Sequence, residues 1–166
     1  IDVSNPPGPP EVGFYQVIGN AYGVEVSGDY AYVAAGSGGL RVVDISNPSA
    51  PREIGFYDTP GSASSVAISG TYAYVADNDG GLRVIDISNP ASPREITADT
   101  SYKVHKVAVS GSYAYALAPY VMVVFDVSNP RSIQPVANLD VPYFNPADIT
   151  VSGSYAYLVG WFRRFI

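Results

Sequence analysis

From Gly23 to Asp58 the apolar residues come in four short runs, separated by glycines, a Ser-Gly pair and an Asn-Pro pair. Runs this brief, rich in Val, Ile, Tyr and Ala, predict successive β-strands, and none is long enough for a stable helix. The expected strands are A at Gly23–Ser27, B at Tyr30–Ala35, C at Leu40–Ser46 and D at Arg52–Asp58. Each connection has a local reason. Gly28 and the Gly38-Gly39 pair supply the positive φ that tight hairpins need. Asn47-Pro48 ends strand C, because proline has no amide hydrogen for a ladder and restricts the residue before it. The unit is expected to be an antiparallel four-stranded meander.

Alternation along strand B sends Tyr30, Tyr32 and Ala34 to one face and Ala31, Val33 and Ala35 to the other. Strands A to C are apolar on both faces, so the small sheet must be sandwiched between neighbours. A bulky face can meet a small one. The tyrosine face of one unit is therefore expected over the alanine face of the next.

The neighbours are copies of the same unit. Gly39–Ile54 returns at Gly81–Ile96, 42 residues on, with three substitutions. Ser-Gly pairs at Ser27-Gly28, Ser69-Gly70, Ser110-Gly111 and Ser152-Gly153 precede the tyrosine pairs Tyr30/Tyr32, Tyr72/Tyr74, Tyr113/Tyr115 and Tyr155/Tyr157. Asp2, Asp44, Asp86 and Asp126 each stand two residues before a Ser-Asn-Pro, in steps of 42, 42 and 40. Four strands in roughly 40 to 45 residues is the size of one propeller blade, and radial stacking buries both faces of each blade. The fold expected is all-β: a β-propeller of four such four-stranded antiparallel blades, either a closed four-bladed ring or part of a larger ring or array.

Leu40-Arg-Val-Val-Asp44, Leu82-Arg-Val-Ile-Asp86 and Met122-Val-Val-Phe-Asp126, with the Ser-Gly-x-Tyr-Ala-Tyr and Asp-x-Ser-Asn-Pro elements, resemble the LVIVD-repeat proteins. The resemblance spans the chain. It implies a β-propeller, commonly at the cell surface or exterior and often with more than four blades, and it carries over no catalytic residues.

The chain begins late in one strand C and stops early in another. Writing Ile1 after Ile166 gives Arg164-Phe-Ile-Ile-Asp2, which aligns with Leu40–Asp44. Residues 1–166 are thus expected to form one repeat domain of four blades, the last with its strand C split between the ends. Joining within one chain closes a four-bladed ring, and joining between chains makes a larger ring or a head-to-tail fibre. A terminus in mid-strand, with Ile1 in place of an initiator methionine, also suggests an excerpt of a longer array. No signal-like amino terminus and no stretch long enough to span a bilayer are evident.

Composition narrows the function. In 166 residues, 47% are hydrophobic and 13% aromatic, which is a folding composition. A net charge of −6, with only nine Lys plus Arg, removes the electrostatic basis for binding nucleic acid or an anionic membrane. With no cysteine there are no disulfides and no thiolate chemistry. Acidic, lysine-poor repeats rich in Tyr, Ser and Gly suit an extracellular or cell-surface protein.

Candidate chemistry is sparse. The four repeated aspartates are expected to accept backbone amides at their turns, as Asp commonly does. Asp77-Asn78-Asp79-Gly80 looks like the start of a calcium loop but lacks its later ligands, and a hairpin turn is expected there. His105, between Lys103 and Lys106, is the only histidine, and Asp148 is a further acid that could converge on it in a hydrolytic site. Trp161-Phe162-Arg163-Arg164 departs from the repeat and could be a cation–aromatic patch, with inter-blade packing the expected role. Tyr102, Tyr120 and Tyr143 are specific to their copies and could line a surface for glycan or protein. No phosphate-cradling loop or zinc spacing is present.

These readings assign no catalytic, cofactor or metal residue. The expected function is a non-enzymatic scaffold or adhesion module with a protein or glycan partner, self-associating through the split strand C. The competing expectation is a ligand-binding or hydrolytic propeller with its site at the rim of the central channel.

Overall fold

The computed structural model describes residues 1–141 and 144–162. Its first sheet is β1 (Gly23–Ser27), β2 (Tyr30–Ala34), β3 (Leu40–Asp44) and β4 (Arg52–Tyr57), paired antiparallel in chain order. The second repeats this as β5 (Ser65–Ser69), β6 (Tyr72–Ala76), β7 (Leu82–Asp86) and β8 (Arg94–Asp99). The third comprises β9 (Lys106–Ser110), β10 (Tyr113–Ala118), β11 (Val121–Asp126) and β12 (Gln134–Asp140). The fourth shows strands A and B only, β13 (Phe144–Ser152) and β14 (Tyr155–Phe162). Residues 163–166, expected to begin its strand C, lie outside the described residues.

Strand A falls where the pattern predicts. Strand B ends one residue early, and strand C stops at Asp44, two residues early, because that carboxylate turns to cap the next turn. The first hairpin closes Ser27 on Tyr30, with Gly28 at a φ of 58°. That is the backbone sign a type II′ hairpin requires at its first loop position. Each complete blade carries a bulge between strands C and D at the same point, beside Val42/Val43, Val84/Ile85 and Val124/Phe125. A bulge bends and twists the outer strand at this fixed point in each blade.

Strands A are innermost: β1 packs beside β5, β5 beside β9, and β9 beside β13. Backbone bridges also cross between blades. Gly36 and Ala63 exchange N–H···O bonds of 2.9 and 3.0 Å, and the Asn78 amide donates to the Val104 carbonyl at 2.8 Å.

The core lies between sheets. Tyr32, Ala34, Leu40 and Val42 of the first blade pack on Ala73, Val75, Ile85 and Ile87 of the second. Tyr74, Ala76, Leu82 and Val84 of the second pack in the same way on Ala114, Ala116, Phe125 and Val127 of the third. The tyrosine face does lie over the alanine face at these two junctions. Its geometry depends on Ala73, which is wholly buried beneath the first blade. Ala73→Trp should overpack that junction and destabilise the fold by about 1–3 kcal/mol, read as a lower thermal midpoint. An unchanged midpoint would reject this packing.

Candidate functional site

The four repeated aspartates do the same job four times. Asp2, Asp44, Asp86 and Asp126 accept the backbone N–H of Ser4, Ser46, Ser88 and Ser128 at 2.9, 3.0, 3.0 and 2.8 Å. Three residues on, Asn47, Asn89 and Asn129 accept the N–H of Ser49, Ala91 and Arg131. Each strand C thus ends in two successive side-chain-capped turns. Arg52 and Arg94 add ion pairs to Asp44 and Asp86, at 3.0 and 3.1 Å.

These bonds favour the charged carboxylate. The Asp86 carboxyl is held at about 2, first by hydrogen bonds from Ser88 and then by Arg94. Ser46 and Ser128 lower Asp44 and Asp126 in the same direction.

Where the blades differ, the unlike residues are parcelled out. Nε2 of His105 meets the Pro146 carbonyl at 2.7 Å, so that nitrogen donates, and the His105 carbonyl accepts from the Ser64 hydroxyl at 2.8 Å. His105 therefore stitches the second, third and fourth blades. Asp79 pairs with Lys103, and Asp148 lies 3.7 Å from Lys106. Tyr102 stands edge-on to Phe125, and its hydroxyl accepts from Asn138. Tyr120 takes a φ of 62° in the hairpin between β10 and β11. Trp161 is exposed on β14, whereas Tyr143, Arg163 and Arg164 lie outside the described residues. Among the described residues no three His, Cys, Asp or Glu side chains cluster as metal ligands would.

The hairpin at Asp77–Gly80 forms as expected, closed by the Gly80 and Gly81 amides donating to the carbonyls of Asp77 and Asn78. What the pattern did not reveal is the inward turn of the Asp77 carboxylate. It is fully buried and accepts from the Thr59 hydroxyl at 2.5 Å and the Gly61 amide at 2.8 Å. Arg83 lies 3.4 Å away through Nε and reaches Glu95 through Nη1 at 3.2 Å. Tyr57 of the first blade completes the cluster on Glu95; burial and then that carboxylate push its phenol pKa up. A signal existed in the repeat. Asp77 stands where the first and third copies have Ala35 and Ala118, and in the third copy Val123 replaces the arginine as well.

Two hollows remain. One, of about 240 Å³, is the channel between strands A, lined by Glu25, Val66–Ile68, Val107–Val109 and Ile149–Val151. The other, of about 330 Å³ and mostly apolar, lies on the alanine face of the first blade, against Ala31, Val33, Val43 and Ile45.

The family model described as LVIVD repeat matches residues 18–59, 60–98, 103–140 and 145–162. The chain belongs to the LVIVD-repeat family. Those boundaries place one repeat on each sheet. No curated protein matches this LVIVD-repeat chain. Among solved structures it is similar to a protein from Lactobacillus plantarum, at 17% identity and a TM-score of 0.76, covering 89% of this chain and 50% of that one. It is also similar to the computationally designed Ika4 protein, at 14% identity and a TM-score of 0.68, covering 93% and 98%. BamB from Moraxella catarrhalis follows at 19% identity and a TM-score of 0.61, covering 83% and 42%. The chain spans half or less of the Lactobacillus protein and of BamB. At these identities the likeness concerns the fold, a β-propeller repeat module.

Two outcomes test the polar framework of the LVIVD repeats. Asp77→Ala leaves Arg83 half-paired and Thr59 without its acceptor in a buried site, and should cost about 3 kcal/mol in denaturant unfolding. Because Asp86 titrates lower folded than in an unfolded chain, its contribution is complete above about pH 4 and is lost as pH falls towards about 2. Unfolding measured across that window should show falling stability, less steeply in Asp86→Asn.

Proposed function

We propose that this chain is a non-enzymatic scaffold and protein-interaction module working outside the cell or on its surface. The observation that carries the reading is how its polar chemistry is spent. The recurring carboxylates serve their own turns, and His105, Asp79 and Asp148 each go to a different structural partner. A catalytic constellation needs a nucleophile, a base and an orienting group aimed at one point. What the fold presents instead is broad sheet surface and repeated turns. The net charge of −6 and the scarcity of lysine support an exterior setting.

The hydrolytic or ligand-binding reading rests on the channel hollow, to which β1 contributes Glu25. Binding of a small glycan or peptide there would raise the thermal midpoint, and Glu25→Gln would abolish the rise.

Protease treatment of intact producing cells tests the scaffold reading. The chain should be cleaved without lysis, and full protection until lysis would overturn its exterior placement. Turnover of any ester or glycoside by the purified chain would overturn the non-enzymatic part.

A further inference from the structure

The broad faces that close the first two junctions are nearly interchangeable. Tyr32, Ala34, Leu40 and Val42 on the first blade are matched, residue type for residue type, by Tyr74, Ala76, Leu82 and Val84 on the second. The faces that receive them are alike too: Ala73, Val75 and Ile85 in one case, Ala114, Ala116 and Phe125 in the other, all wholly buried. Apolar packing alone distinguishes such faces weakly, since cores accept hydrophobic exchanges that keep volume and pattern. In tandem repeats that ambiguity is a route to misassembly and domain swapping.

The polar residues beside these faces do differ. At the first junction the receiving blade carries Asp77, Arg83 and Glu95, and the first blade brings Thr59, Gly61 and Tyr57 to them. The corresponding positions of the third blade hold Ala118, Val123 and Pro135, the last opposite Phe125 as Glu95 is opposite Ile85. Facing them, the second blade has Asp99 where the first has Tyr57, each opposite the leucine that opens strand C. Tyr102 completes this junction, its ring edge-on to Phe125 at 6.3 Å and its hydroxyl accepting from Asn138 at 2.9 Å. The first junction is thus locked by charge, the second by an aromatic ring and an amide.

We propose that these unlike clusters fix the order in which the blades pair, acting against wrong partners as much as for right ones. A first blade set on a third would leave the Thr59 hydroxyl and the Tyr57 phenol opposite Ala118, Val123 and Pro135, whose side chains offer no acceptor. A second blade set on the second blade of another copy would bring Asp99 against Glu95, like charge on like. The Arg83 cluster does for blade order what one buried polar residue does for the register of a coiled coil. Blade order on this basis requires neither an exterior setting nor a partner, so it stands or falls independently of the scaffold reading.

Refolding of the full chain from denaturant over a range of concentrations tests this. The product is compared, by sedimentation velocity and near-ultraviolet circular dichroism, with material that was never unfolded. Wild type should regain the starting profile at every concentration. Thr59→Val, Asp77→Ala, Arg83→Val and Glu95→Gln together remove the charged cluster and its hydroxyl partner as a unit, so the thermal midpoint should stay close to that of wild type. Refolding of this fourfold variant should nevertheless yield a several-fold larger misassembled fraction as concentration rises. A role in stability alone would lower the midpoint and leave refolding faithful. Asp99→Asn keeps an acceptor for the Ser101 amide and removes only the charge. It should raise misassembly at an unchanged midpoint, and it decides alone if the fourfold variant does not fold. Wild-type fidelity in Asp99→Asn would overturn the proposal, as would a fourfold variant that refolds as cleanly as wild type or a wild type that itself misassembles.

Discussion

Each sheet of this protein is apolar on both sides, and that constraint governs the rest. A four-stranded meander with two greasy faces cannot exist alone in water, so every blade depends on its neighbours. Tyrosine rings on one strand B cover the alanine and valine side chains of the next at the first two junctions. Size complementarity replaces the chemical variety of an ordinary core. One packing solution serves both the first and the second junction.

Around this apolar stack the polar residues keep the strands at the right length. Proline and two successive Asx-type turns end each strand C, and the aspartates that make them are held charged by serine and arginine donors. The bulge between strands C and D recurs at one position in the three complete blades. The polar repeat is therefore punctuation. Individual chemistry enters where the punctuation is broken, as at the buried Asp77 and at His105, and both serve to tie one blade to another.

Much of this was legible in the chain, because a repeat samples the same local decision several times. The period, the strands, the aspartate turns and the opposition of tyrosine and alanine faces all follow from alternation and turn chemistry, which act over a few residues. Asp77 was harder. Read locally it belongs to a turn rich in Asp, Asn and Gly, and only the approach of Thr59, Gly61 and Arg83 from elsewhere turns its carboxylate inward.

The sequence by itself determined the unit and its faces, since side-chain alternation and proline or glycine turns are properties of neighbouring residues. Tertiary structure alone decided how the units meet: which polar residues pair across junctions, and that Gly13 and Tyr15 dock on the first blade as Gly55 and Tyr57 do on the second. The physical reason is range. Strand and turn preferences are settled within a few bonds, whereas burial of a face or a carboxylate depends on surfaces that only folding brings together.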